Sequence, residues 1–333
     1  MKLPFNVDLK NKVAVVTGGS GILCGAMAEA LAACGAKVAI LALGQEGCDA
    51  KADQIKAAGG TAIGINTNVL DKESIKRAHE IILKEFGPCD ILINGAGGNH
   101  PKGTTTNEYL LREYKHLAAG SVCAAEHQTA GRGRRGRSWY SGKNQNLCFS
   151  LLWRYSADEV HQISALSLVV ALVLAESFTE LGISDIQIKW PNDVYYQGKK
   201  LGGILIESRF ENNDYYLVIG IGLNLSMDQV DLNVVNQPYA DLSAYHLERN
   251  QLLQKIVPQL QKNLKIYPLV GFENYVERWQ SYDLFYGKPV KLLAGETEIH
   301  GISQGINDKG ELLLEQAGEI NAYAIGEMSL RAQ

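Results

Sequence analysis

No two cysteines in this chain are spaced as C-x-x-C. The six it has, at 24, 34, 48, 89, 123 and 148, follow no regular interval, so neither a disulfide framework nor a zinc site is written in them. They read as reduced, mostly buried thiols of a cytoplasmic protein. No apolar run follows the charges of MKLPFNVDLKNK, so no secretory signal is expected there. The most apolar stretch, Ala165 to Ala175, is much shorter than the ~20 residues of a membrane span and reads as a core helix. Neither sign of charge dominates. The 32 basic residues face 36 acidic ones, for a formal charge of −4, which argues against a wholesale binder of nucleic acid or anionic membrane and leaves room for a local patch. Internal repeats, low-complexity tracts and a Pro/Ser-rich linker are also missing. With 333 residues, 46% of them hydrophobic, the chain can bury a substantial core in two or three domains.

What is there falls into two patterns. Residues 1–103 alternate strand and helix. KVAVVTGG is an apolar strand run ending in a glycine turn, and GAMAEALAACG a small-residue helix stopped by glycine. AKVAILAL, DAKADQIKAAGG, TAIGINTNV, DKESIKRAHEIILKEFG and CDILINGAG continue the series as β-α-β-α-β. This alternation predicts a parallel sheet with right-handed crossovers. After Thr104 the texture changes to helices separated by longer strand pairs, as in IQIKWPNDVYYQGKKLGGILIESRF and YYLVIGIGLNLS. From about Asp283 the strands become short and are punctuated by Gly, Asn and Asp, the pattern of a small antiparallel barrel or sandwich. The expected division is therefore 1–103, 104–282 and 283–333.

VVTGGSGILCG follows a strand and opens a helix, where backbone N–H groups and the helix dipole can hold a pyrophosphate. Through Thr17, Gly18, Gly19 and Gly21, and through Asn94 and Gly95 of NGAG, the first 105 residues or so resemble the short-chain dehydrogenase/reductase family. The resemblance implies a dinucleotide site, here incomplete. Cys24 stands at the third glycine position, Ala42 where an acidic residue would bind the adenine ribose, and Asn68 where such folds often carry aspartate. The family's hydride transfer needs a Tyr-x-x-x-Lys pair on a helix. Tyr195/Lys199 and Tyr196/Lys200 match the spacing but lie in a Gly-containing hairpin, so they read as accidental. The first segment is expected to be a truncated Rossmann-like layer, and NAD(P) is not expected as a working cofactor.

AGRGRRGRSW places Arg132, Arg134, Arg135 and Arg137 in one glycine-rich segment. GRGRRG fits G-x-G-x-x-G, but no helical periodicity follows, so the dinucleotide reading of this stretch fails. Three readings remain: a solvated loop, a nucleic-acid patch, or a cradle whose guanidinium forks meet a small polyanion. Against the nucleic-acid reading, the flanks add only Trp139, Tyr140 and Lys143.

GRGRRGRSW, KWPNDVYYQGKKLGGILIE and GIGLNL together resemble the biotin protein ligases, in order and with plausible spacing, from about Thr104 to Arg331. TTTNEYLL resembles the opening segment of that family and GEMSLR its end. The resemblance implies an α/β chain whose second part is a class II synthetase-like mixed α+β catalytic domain built on a mixed sheet, followed by a small SH3-like β domain. It implies an ATP-dependent ligase that activates biotin as biotinyl-5′-AMP and transfers it to a lysine of a biotin carboxyl carrier domain, as in acetyl-CoA carboxylase. Biotin, ATP and Mg²⁺ are the implied ligands, and no side-chain cluster fixes the metal. A homodimer is compatible with the sequence, and no DNA-binding domain is seen upstream. The alternative activity is an NAD(P)-dependent short-chain oxidoreductase.

The resemblance also distributes roles. Thr105, Thr106, Asn107 and Gln128 would line the biotin ureido and ring site, while Arg132, Gly133 and Arg134 would cover biotin and the adenylate. Lys200, Arg134 and Lys189 would carry the catalysis, with Lys200 on the biotin carboxylate or α-phosphate. Gly203, Gly220 and Gly222 would let backbone approach biotin. Arg135, Arg137, Trp139, Asn192, Asp193, Asn224, Tyr239, Lys291 and Arg331 would serve ATP and its phosphates. Each has a plainer alternative: Lys199 and Lys200 as solvated hairpin charges, Asp193 as a turn cap, Trp139 as core packing, Gly220 and Gly222 as strand glycines easing a bulge. His127 is expected on a strand surface. The two patterns meet in GNHPKGTTTNEYLL, which can be read as either parent and makes the chain a chimera.

Overall fold

The computed structural model describes residues 7–69, 71–95, 105–160, 163–227, 235, 238–326 and 328–333. Residues 96–104, where the two sequence patterns meet, lie outside them. The chain divides into two compact units, Met1–Gly98 and Asn99–Gln333.

In the first unit the two central apolar runs form strands whose faces are both covered. The elements are β1 (Val13–Thr17), α1 (Ile22–Ala33), β2 (Lys37–Ala42), α2 (Gln45–Ala57), β3 (Thr61–Asn66), α3 (Lys72–Glu85) and β4 (Ile91–Asn94). All pairings are parallel, in the order β3-β2-β1-β4. Ala14, Val16, Val38 and Ile40 pack with Ala28, Cys48 and Ile55 of α1 and α2. Val13, Val15, Ala39 and Leu41 turn the other way, onto Ala78 and Ile82 of α3. Asp71 caps α3 by accepting the Glu73 amide.

The second unit begins with α4 (Thr106–Glu113) and β5 (Val122–Ala125), then β6 (Asn146–Ser156) and α5 (Leu166–Glu180). Next come β7 (Ile186–Lys189), β8 (Asp193–Tyr196), β9 (Lys199–Glu211), β10 (Asp214–Asn224), α6 (Arg249–Val270) and α7 (Val276–Gln280). The six strands form one sheet in the order β5-β6-β10-β9-β8-β7. A mixed sheet was the expectation. Every ladder between these strands is antiparallel, and parallel pairing enters only as isolated bridges, Ile188 with Asp283 and Lys200 with Tyr239. Alternation along the strands sorts the faces. Tyr155 points to α6, donating its hydroxyl to the Leu264 carbonyl, whereas Leu152 and Val218 meet Leu110 of α4 on the opposite face. The span Ile163–Glu180 is long and apolar enough to suit a bilayer by composition alone, yet two thirds of it is buried by protein; α5 packs on α6 and on β7, β8 and β9.

A final five-stranded antiparallel sheet, order β14-β13-β12-β11-β15, is the small SH3-like domain: β11 (Pro289–Ala294), β12 (Thr297–Ile306), β13 (Leu312–Gln316), β14 (Glu319–Tyr323) and β15 (Met328–Ala332). It meets the larger sheet at β7 and the residues that follow it. Ile188 of β7 donates to the Tyr282 carbonyl and accepts from the Leu284 amide, and the fully buried Trp190 donates its indole N–H to the Gly310 carbonyl at 3.0 Å.

Candidate active site

The candidate site lies on the α4 face of the six-stranded sheet. Cross-strand pairing brings Ser150, Gly220 and Leu205 into one row and Cys148, Gly222 and Gly203 into the next. Small residues open this floor to incoming side chains. A Cβ on Gly220 would collide with Asn107 Oδ1, and one on Gly222 would lie 2.5 Å from the Trp139 ring. Both glycines lie in unbroken ladders, not at a bulge, and make room for side chains, a role neither sequence reading gave them. Gly203 faces Asp193 and the Lys200 ammonium, 3.4 and 3.5 Å from where its Cβ would be.

At one end of the floor is a buried polar group built from α4. Thr105 caps the helix, its hydroxyl accepting the Glu108 amide at 3.1 Å. The Thr106 amide donates to Gln128 Oε1 at 2.8 Å. Ser150 Oγ lies 2.6 Å from both Thr106 Oγ1 and Asn107 Oδ1. The Asn107 amide donates to Glu207 Oε2 at 2.8 Å and to the Leu205 carbonyl at 3.3 Å. His127 lies in the loop after β5, not on a strand, with Nδ1 2.6 Å from the Ser141 carbonyl.

The other end is cationic. Asp193 pairs with Lys200 at 2.8 Å and with Lys189 at 3.6 Å. Lys200 is mostly buried and its ammonium stands over the Trp139 ring, 5.9 Å from the centroid, so it is no solvated hairpin charge; Lys199 is exposed. Lys189 is only 4% exposed and bonds the Tyr195 hydroxyl at 3.1 Å. Burial pushes its ammonium down to about 8, with Asp193 opposing and Arg331 and Lys200 adding to the fall. Burial alone would raise the Asp193 carboxyl, but Lys200, Lys189 and Arg331 together hold it below the usual range. Two lysines thus share one carboxylate, and the charge of Arg331 also acts on it. That surplus of buried positive charge suits an arriving polyanion.

The arginine segment is a closed hairpin between the two ends. Trp139 donates to the Gly131 carbonyl at 2.8 Å and Gly133 to the Arg137 carbonyl at 2.7 Å; a Cβ on Gly131 would collide with the Trp139 carbonyl. Arg134 crosses to Asn192 Oδ1 at 3.1 Å and to the Gly326 carbonyl of the β domain. Arg132 approaches Glu207 at 3.8 Å. Arg135 and Arg137 are exposed.

Other predicted residues stand at the margin. Asn224 donates its amide to the Ala240 and Lys200 carbonyls, holding the strand that carries Lys200. Tyr239 bridges Lys200 through backbone. Lys291 pairs with Glu298 at 3.4 Å, although β11 and β15 set it beside Arg331. Sequence reasoning missed Ser150 and Glu207. The signal for Ser150 was a lone hydroxyl in the middle of NLCFSLLW.

In the first unit Gly18 has φ +68°, Gly19 donates to the Leu41 carbonyl, and the Gly95 amide bonds Thr17. The β1–α1 turn and the end of β4 are thereby brought together, with Ala42 closing β2 beside them. Tyr195 and Tyr196 are confirmed in a hairpin, turned by Gln197 and Gly198 with both φ positive. Tyr196 bonds Tyr245, not a lysine.

Comparison with known proteins separates the same two parts. Residues 101–224 match the Biotin/lipoate A/B protein ligase family and 285–331 the Biotin protein ligase C terminal domain. Residues 12–124 match the short chain dehydrogenase family, so the two matches overlap at the seam. The chain is 43% identical over 231 residues to the bifunctional ligase/repressor BirA of Escherichia coli, covering 68% of this chain and 72% of that protein. It is 53% identical over 106 residues to the uncharacterized oxidoreductase UxuB of Bacillus subtilis, covering 32% of this chain and 38% of that one. The biotin protein ligase from Aquifex aeolicus, solved in complex with biotin and ATP, superposes with a TM-score of 0.61 at 31% identity, covering 69% of this chain and 95% of that chain. With an N-terminal segment similar to part of a short-chain dehydrogenase, the chain belongs to the biotin protein ligase family.

Proposed function

We propose that this protein is an ATP-dependent biotin–protein ligase. The observation that carries the reading is the pair of lysines on Asp193, Lys189 buried and Lys200 mostly so, with the charge of Arg331 acting on the same carboxylate, across the same floor from the polar group of Thr106, Asn107 and Gln128. The biotin carboxylate attacks the α-phosphorus of ATP; an O–P bond forms, the bond to the β-phosphate oxygen breaks, and pyrophosphate leaves. A carrier-domain lysine then attacks the acyl carbon of biotinyl-5′-AMP and AMP departs. Neither step requires a covalent enzyme nucleophile. Both require positive charge fixed where phosphate charge develops, and exclusion of water from the mixed anhydride. Lys200 and Lys189 supply the charge. The hairpin, strapped by Arg134 to Asn192 and Gly326, is the cover.

Mg²⁺ fits this site only together with the nucleotide. No group of three or more metal-ligating side chains occurs among the described residues, and a single carboxylate, Asp193, is available to share the ion with phosphate oxygens. Bound there, it would neutralise phosphate charge. The natural acceptor on this reading is a biotin carboxyl carrier domain, and the setting is the cytoplasm, a choice the six free thiols support.

Pyrophosphate exchange into ATP tests the proposal. Exchange that depends on biotin, followed by biotin transfer to a carrier domain, is expected. Exchange without biotin dependence, or none, would overturn it.

A further inference from the structure

The polar chain of α4 ends on Glu207, a residue the adenylation chemistry does not use. Its proton directions can be worked out. Asn107 commits its amide hydrogens to Glu207 and the Leu205 carbonyl, which turns Oδ1 to Ser150. Two oxygens 2.6 Å apart need a proton between them, and Asn107 Oδ1 has none, so the Ser150 hydroxyl donates there. Its single proton spent, Ser150 can only accept at 2.6 Å from the Thr106 hydroxyl. Thr106 is left with a lone pair. Gln128 Oε1 accepts the Thr106 amide at 2.8 Å and lies 3.3 Å from the Thr106 hydroxyl, whose one proton is already given to Ser150, so it too stands as an acceptor. The hydroxyl protons of Thr106 and Ser150 and one amide proton of Asn107 thus run in sequence toward the Glu207 carboxylate, which can only accept. The same carboxylate holds Arg132, a donor, at 3.8 Å.

Two acceptors and one multiple donor are the complement of a cyclic urea, with its two N–H groups and one carbonyl. We propose that Glu207 is a positioning residue: by fixing the polarity of the Thr106–Ser150–Asn107 chain and the place of Arg132, it makes the site select a cyclic-urea acid over an alkyl or dithiolane acid. The inference deepens the ligase reading and rests on it. The family matched by residues 101–224 spans biotin and lipoate ligases, so the distinction is one a site of this fold must make. An acid without the urea leaves buried acceptors unpaired, the arrangement that rejects analogues most strongly.

The test compares wild type with Glu207→Gln, Glu207→Ala and Glu207→Asp in biotin-dependent pyrophosphate exchange, with lipoate as competing inhibitor. Glutamine can donate as well as accept and carries no charge. It is expected to raise the KM for biotin about tenfold, leaving kcat, the KM for ATP and the lipoate inhibition constant within about twofold. Alanine should do more. Aspartate, which can only accept, should recover part of the preference even if alanine fails to fold. An unchanged biotin KM in Glu207→Gln, a parallel loss for biotin and lipoate, or a loss confined to kcat would overturn the assignment. Absence of biotin-dependent exchange in wild type would instead sink the ligase reading itself.

Discussion

The turn after β1 in the first unit and the charged cluster of the second are both of kinds that can meet phosphate, and they are made differently. The first uses backbone: a turn through Gly18 with φ +68°, then the N-terminus of α1. The second uses side chains, two lysines on one carboxylate with the charge of Arg331 acting on it. A backbone turn is local, written in a short run of consecutive residues, so it forms where the match covers only part of a dehydrogenase. The match to the Bacillus oxidoreductase spans 38% of that protein. Among the described strands of this unit β4 is an edge, with Leu92 58% exposed. Chemistry is less local. In the second unit Lys200 comes from β9, Lys189 from β7, Arg331 from β15 and Arg134 from the hairpin, and the match reaches 95% of the Aquifex ligase. A partial fold can keep a binding turn; it cannot keep a site assembled from distant strands.

The comparison is broken most directly at Lys200. Lys200→Ala should cut biotin-dependent pyrophosphate exchange at least about a hundredfold, the scale of losing one preorganised charge at a reacting phosphate. A loss under about threefold would mean that the cluster is structural, and that the two units differ less than their charges suggest. Arg134→Gly should act on retention. With the ties to Asn192 and Gly326 gone, adenylate should escape about tenfold faster, seen as acceptor-independent biotinylation of bystander lysines. Retention equal to wild type would remove the hairpin from the role of cover.

Lys189 sharpens the comparison through pH. Its ammonium, held near 8 by burial, is charged below that pH and loses its charge as pH rises through it. kcat/KM for ATP should be level up to about pH 7.5 and fall roughly fivefold by about pH 9.5, Lys200 and Arg331 supplying the rest. Lys189→Arg should flatten the fall, since guanidinium stays charged. A backbone cradle has no such limb. If the wild-type profile stays level over that whole range, Lys189 does not meet the phosphates.

Much of this was legible because it is local. The β-α series of the first unit follows from apolar runs and glycine stops, and Gln197-Gly198 gave away the hairpin that disqualifies both Tyr/Lys pairs. The arginine segment and KWPND were visible as motifs. What sequence could not supply was pairing across distance. Asn107 and Glu207 are 100 positions apart, Arg134 and Gly326 192. Ser150 looked like any small residue in an apolar strand until register set it opposite Gly220. Asn224 sat in a motif and was expected to face nucleotide, yet its amide goes to backbone. A motif names the residues near a site, and only the register says which way they face.

The smallest effect expected concerns the joint that carries Arg331 to the site. Asp283 bridges β7 beside Lys189, its Oδ1 accepting the Phe285 amide at 2.9 Å while its buried Oδ2 has no partner. Burial pushes the carboxyl from 3.8 up to about 6, against the Phe285 bond and Lys288. Between those values the folded chain binds the proton that the unfolded chain has released. Stability therefore falls as pH rises through that window, and the whole penalty, at most about 3 kcal/mol, is present above about pH 6. An asparagine side chain there would keep the acceptor for Phe285 and remove the charge. The substitution Asp283→Asn should raise the melting temperature of the ligase unit by a few degrees at about pH 7.5 and leave it unchanged near pH 4, where the native carboxyl is already protonated. An equal shift at both pH values would show that shape at this position, and not charge, sets the cost.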